Sequence, residues 1–176
     1  MPAVDIPAEL QQRIADVRDN STPTDWVLAS LSAESEGAAA LRVVGSGSGG
    51  VNELRERLTQ DNIFYDLIAL TDRQTDILDP NPNPNPNQDN IFYGLVRTTE
   101  TIDQTVAVKF VLISFIGEAI GVMRKALVST LRGDITAAFD PFHCELLNVS
   151  TKEEVRLRSL RVRLRARVLT LTLTLT

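Results

Sequence analysis

The chain has 176 residues, 43% of them apolar and 23% charged, with a formal net charge of −5. That length suits one folded unit with a tail, and the apolar share can build a core, which excludes wholesale disorder. The acidic balance excludes a general nucleic-acid binder, and a single cysteine, Cys144, excludes an internal disulfide.

No basic run leads into an apolar one at the N-terminus, so the chain reads as cytoplasmic. Its longest strongly apolar stretch, Phe110–Ile116, is too short to span a bilayer. Asp5, Ile6 and Pro7 form a helix start, with Asp5 as cap and Pro7 tolerated in the first turn. Leu10, Ile14 and Val17 recur at helical spacing, which predicts an amphipathic helix over 6–18. Asn20-Ser21-Thr22-Pro23 stops it. Trp26–Leu31 and Ala39–Val44 read as strands, Gly45–Gly50 as a flexible turn, and Val51, Leu54 and Leu58 mark a short helix.

A duplication follows. Gln60-Asp61-Asn62-Ile63-Phe64-Tyr65 recurs 28 residues on as Gln88-Asp89-Asn90-Ile91-Phe92-Tyr93. The copies are separated by the alternating Pro/Asn run 80–87, which lacks the N–H groups a ladder needs and reads as an extended linker. The second copy, Ile91–Arg97, is the one favoured for the sheet because it directly precedes the next strand. Val106–Phe115 is the strongest strand, and its nearly unbroken apolar character predicts burial on both faces. A long helix is expected over roughly 118–138, with Ile120, Met123, Leu127 and Leu131 as its apolar stripe. Asp140-Pro141 ends it, and Cys144–Val149 reads as the last strand. The order predicts an α/β fold, a mixed sheet of five to six strands sandwiched between helices.

Gly45-Ser46-Gly47-Ser48-Gly49-Gly50 satisfies the G-x-G-x-x-G pattern between a strand and a helix. The run is low in complexity, the following helix is short, and no acid sits at the ribose-binding spacing, so a structural turn is the better reading. His143 and Cys144 are the only residues of their kinds; as neighbours on a strand they point to opposite faces, which disfavours a nucleophile–base pair. No Cys/His cluster suggests a metal, and no cofactor or catalytic residue is expected. Lys109 is a lone charge in an apolar strand, and Arg124, Lys125 and Arg132 lie on the long helix. Ordinary solvation explains such charges; so does an acidic protein partner.

Three stretches add to this: Thr22–Trp26, Arg42–Gly50 and Lys109–Glu118, with Met123-Arg124-Lys125-Ala126 and Thr151–Val155 continuing the likeness. Together they resemble the actin-depolymerising-factor homology domain, most closely its coactosin and drebrin-like members. The resemblance covers 5–155 apart from the duplicated insert around 61–88. It implies a non-enzymatic, monomeric, cytoskeletal protein that binds the side of actin filaments. Carried over by position, Lys109 matches the family's strand lysine, and Arg124 and Lys125 its basic pair on the long helix. Arg97, Arg132, Arg156 and Arg158 complete the expected contact set. An adaptor that keeps the fold and holds another partner through the insert or tail is the alternative.

The tail, 156–176, departs from the family. Six of the chain's eighteen basic residues are arginines between Arg156 and Arg167, and from Leu160 apolar residues and arginine alternate with a period of two. Leu and Thr then alternate to the end. That pattern favours a strand where the family carries a helix; an edge strand, a helix imposed by packing and a membrane-attracted basic segment remain open.

Overall fold

The computed structural model describes residues 4–33, 39–58, 90–102, 104–118, 120–150 and 155. The first QDNIFY copy, the Pro/Asn run and the arginine tail, with Arg156 and Arg158, lie outside them. The elements are β1 (Val4–Asp5), α1 (Ala8–Arg18), β2 (Trp26–Ala33), β3 (Ala39–Gly47), α2 (50–58), β4 (Ile91–Ile102), β5 (Thr105–Ile116), α3 (Val122–Phe139) and β6 (Cys144–Val149). The strands form one six-stranded mixed sheet in the order β1-β3-β2-β4-β5-β6. β1 pairs with β3, and β5 with β6, in parallel; the other pairs are antiparallel. The predicted mixed sheet between helices is what forms.

Strict alternation along the central strands feeds two cores. Val27, Ala29, Tyr93, Leu95 and Leu112 face α1 and α3, where Leu10, Ile14, Val17, Leu131, Ile135 and Phe139 meet them. Trp26, Leu28, Phe92, Val96, Val111, Ile113 and Phe115 face the other way, against Val51, Leu54 and Leu58 of α2 and against Val155. Burial of each such side chain contributes about 1.5–3 kcal/mol. Both faces of the sheet are covered, so its strands read as apolar runs rather than clean alternation. Gly94 lets α2 come close: a Cβ there would lie 3.0 Å from the Leu54 Cδ1 and 3.4 Å from the Leu28 Cδ1.

The second copy of the duplicated segment enters the sheet, as β4 between β2 and β5. Asp5 does not cap α1. It pairs with Ala40 in a strand the sequence did not disclose, and Pro7, held extended at φ −64° and ψ 148°, takes the cap position without a side-chain bond. Pairing holds the chain extended through Asp5, so the helix begins only after the proline. α3 starts at Val122 rather than near 118, because Glu118 lies in a turn and Ile120 N–H bonds the Gly117 carbonyl. Met123, expected in the core stripe, is 84% exposed. The buried stripe is Val128, Leu131, Ile135 and Phe139; the first turn of α3 is exposed. Burial on both faces of β5 holds only for its second half, since Val106 is 64% exposed.

Candidate functional site

The glycine-rich segment is closed on itself. Gly45–Gly47 belong to β3, and the Glu53 carboxylate accepts from Trp26 Nε1–H and Gly49 N–H, both at 2.7 Å. The Asp25 carboxylate accepts from Gly50 N–H at 3.0 Å. The amides a phosphate would need therefore already bond carboxylates of the same chain. The Trp26 and Gly49 bonds hold the Glu53 carboxyl below its ordinary value, while burial pushes Asp25 up. Gly47 is required because a Cβ would collide with Glu53 and with Trp26. The turn is structural, as the residue pattern suggested.

His143 and Cys144 do not form a catalytic pair. Cys144 is buried, whereas the exposed His143 accepts the Phe110 N–H at Nδ1 and its own N–H bonds the Phe110 carbonyl. Among the described residues no group of His, Cys, Asp or Glu could hold a metal ion.

The expected contact residues do not gather in one place. Arg124 and Lys125 lie exposed in the first turn of α3. Lys109 lies at the far end of the molecule, beside Phe110, whose backbone meets His143 just beyond the C-terminus of α3. Alternation also turns Lys109 to the opposite face: Phe110 and Leu112 pack toward α3, Val111 and Ile113 toward α2. Arg97 is tied down, its guanidinium donating to the carbonyls of Asp19 and Thr22 and its N–H to that of Asp25. It clasps the loop between α1 and β2. Arg132 pairs with Glu145 at 3.0 Å, with the arginine side chain 52% exposed.

Two features escaped the residue pattern. Val122 and Met123 are 82% and 84% exposed, directly before Arg124 and Lys125. The α3 tip therefore presents two large apolar side chains next to two cations. A methionine at helical spacing reads as core; only its exposure in the fold shows otherwise. The second feature is a cleft of about 550 Å³ between α3 and the carboxyl ends of β5 and β6, lined among others by Tyr93, Ser114, Glu118, Lys125, Arg132 and Glu145. It brings Lys125 and Arg132 together. Among the described residues no helix is long and apolar enough to cross a membrane.

These features can be set beside known proteins. The model of the Cofilin/tropomyosin-type actin-binding protein family matches residues 3–81 and 82–165. Among solved structures, coactosin from Entamoeba histolytica superposes with a TM-score of 0.70 at 21% identity, covering 95% of this chain and 98% of that one. Human coactosin-like protein gives 0.65 at 17%, covering 93% and 99%. Mouse coactosin, described as an actin filament binding protein, gives 0.59 at 18%, covering 92% and 90%. At these identities the structures establish a common fold. A search of curated proteins returned no match. The chain belongs to the Cofilin/tropomyosin-type actin-binding protein family and shares the fold of the coactosin structures.

Proposed function

We propose that the chain binds the side of actin filaments and regulates the actin cytoskeleton without catalysis, as a monomer. The observation that carries this reading is the α3 tip, where exposed Val122 and Met123 adjoin Arg124 and Lys125 on a domain of an actin-binding family. An apolar pair inserts into a partner's groove and buries area, while flanking cations steer it toward an acidic surface. Lys109 is the second contact, and Arg156 and Arg158 are further contacts in this reading. Lys109 and the α3 tip lie at opposite ends of the β5–α3 layer. That separation suits a partner presenting two neighbouring subunits, as a filament does, better than a single small patch. Arg97 and Arg132, each engaged within the chain, act here by holding the contact surface in shape.

Co-sedimentation with filaments tests this. The parent pellets, the Met123→Ser/Lys125→Glu double variant loses at least about tenfold in affinity, and Lys109→Glu loses a comparable amount, which corresponds to about 1.4 kcal/mol each. Unchanged pelleting of both variants would refute the assigned contacts. Failure of the parent to pellet at low salt would refute filament binding itself.

A further inference from the structure

We propose that the cleft between α3 and the carboxyl ends of β5 and β6 binds a small amphipathic carboxylate. β5 and β6 are parallel and joined through α3, so the cleft opens where strand ends and a helix N-terminus meet, the place where α/β sheets leave a crevice. Its volume of about 550 Å³ lies within the range of small-molecule sites.

The polar lining favours an anion. Tyr93 is only 3% exposed, and its hydroxyl, which interacts with the Ser114 side chain, makes no well-formed hydrogen bond among the described residues. Register sets Ser114 directly opposite it on β5. Burial above all pushes the phenol up to about 12, opposed by the Ser114 side chain and reinforced by the Glu145 carboxylate, so it stays a proton donor at neutral pH. A buried donor with only an imperfect partner is costly, and a ligand oxygen would satisfy it fully. Among the described residues, Lys125 Nζ bonds the Glu118 carbonyl, at 3.5 Å. The two acids of the lining are engaged: Glu145 with Arg132 at 3.0 Å, and Glu118 as acceptor of the Ser150 hydroxyl at 3.4 Å. α3 adds its N-terminal dipole, with no side-chain cap bond at Gly121 and no acid in its first turn. Ile116, Val128 and Leu147 give the cleft apolar walls, which select an organic acid over an inorganic anion.

The inference stands on the cleft and does not rest on filament binding, although Lys125 serves both. The test is a titration of the full chain, followed through its backbone amide spectrum, with phenylbutyrate as probe and the neutral phenylbutanol as control. Saturable shifts at Gly117, Glu118, Lys125 and Ser129 are expected for the carboxylate, with affinity at least about tenfold above that of the alcohol. Lys125→Met should lose about tenfold and Tyr93→Phe about threefold, both with an unchanged melting temperature. Absence of saturation up to about 10 mM, equal affinity for acid and alcohol, or parental binding by both variants would overturn the proposal.

Discussion

Arg97 shows how one side chain changes meaning between sequence and structure. As a basic residue on a strand of an actin-binding domain it reads as a contact; in the fold its guanidinium spans to the Asp19 and Thr22 carbonyls and fixes the loop before β2. Arg97→Met should therefore cost about 1–2 kcal/mol of stability, read from the midpoint of urea unfolding. Unchanged stability with weakened filament binding would return it to the contact face. Glu53 gives a pH dependence. Its folded-state pKa lies below the ordinary 4.5 because Trp26 and Gly49 donate to the carboxylate. Its stabilising contribution is thus present above that ordinary value and disappears as pH falls through the depressed one. Relative to Glu53→Gln, the parent should be more stable near neutrality, and the gap should close in acid. Arg18, donating to the Phe139 carbonyl at 2.6 Å, adds a cationic cap to the end of α3, whose own last turn carries no basic residue.

At the scale of elements, α3 divides into two parts with different tasks. Its second half buries Leu131, Ile135 and Phe139 against the sheet and α1. Leu131→Ala should cost about 2–5 kcal/mol. Its first turn carries Val122 and Met123 into solvent. Replacing both with serine should leave the melting temperature nearly unchanged, within about 0.5 kcal/mol, while weakening filament binding. Equal loss of stability from the two halves would show that the first turn packs against the body after all. The β3–α2 connection carries a motif that elsewhere binds phosphate, yet Glu53 and Asp25 use its amides. The same glycines that would admit a pyrophosphate here admit a carboxylate of the chain itself.

For the whole molecule, the charge distribution decides how a partner is met. The net charge is −5, yet the proposed contact residues on α3 and β5 are cationic. Association with an acidic filament should thus be governed by a local field rather than by the overall charge, and should weaken as salt rises, with a Debye length of about 10 Å at 0.1 M. Co-sedimentation across a salt series checks this: salt-independent pelleting would assign the binding to the apolar tip alone. Lys109 and the α3 tip belong to opposite faces and opposite ends, so reversal of either should weaken binding and reversal of both should add nearly in full.

Periodicity alone determined most of the elements. The apolar spacing of Leu10, Ile14 and Val17 fixed α1, the apolar run through Phe115 fixed β5, and Cys144–Val149 was legible to the residue, because each buries one consistent face. The residues quoted for the family also carried the fold, since they sit on the central strands and the turn between β3 and α2. What local pattern does not encode is where an element ends relative to its neighbours. The two-residue strand β1 exists only because β3 offers it an edge. Met123 keeps core spacing but faces solvent, and Lys109 and Lys125 share a charge but not a face. The Tyr93 cleft is assembled from β4, β5, α3 and β6, far apart in the chain. Spacing along a chain sets which way a side chain points from its own axis; only the packing of axes against one another decides what it meets there.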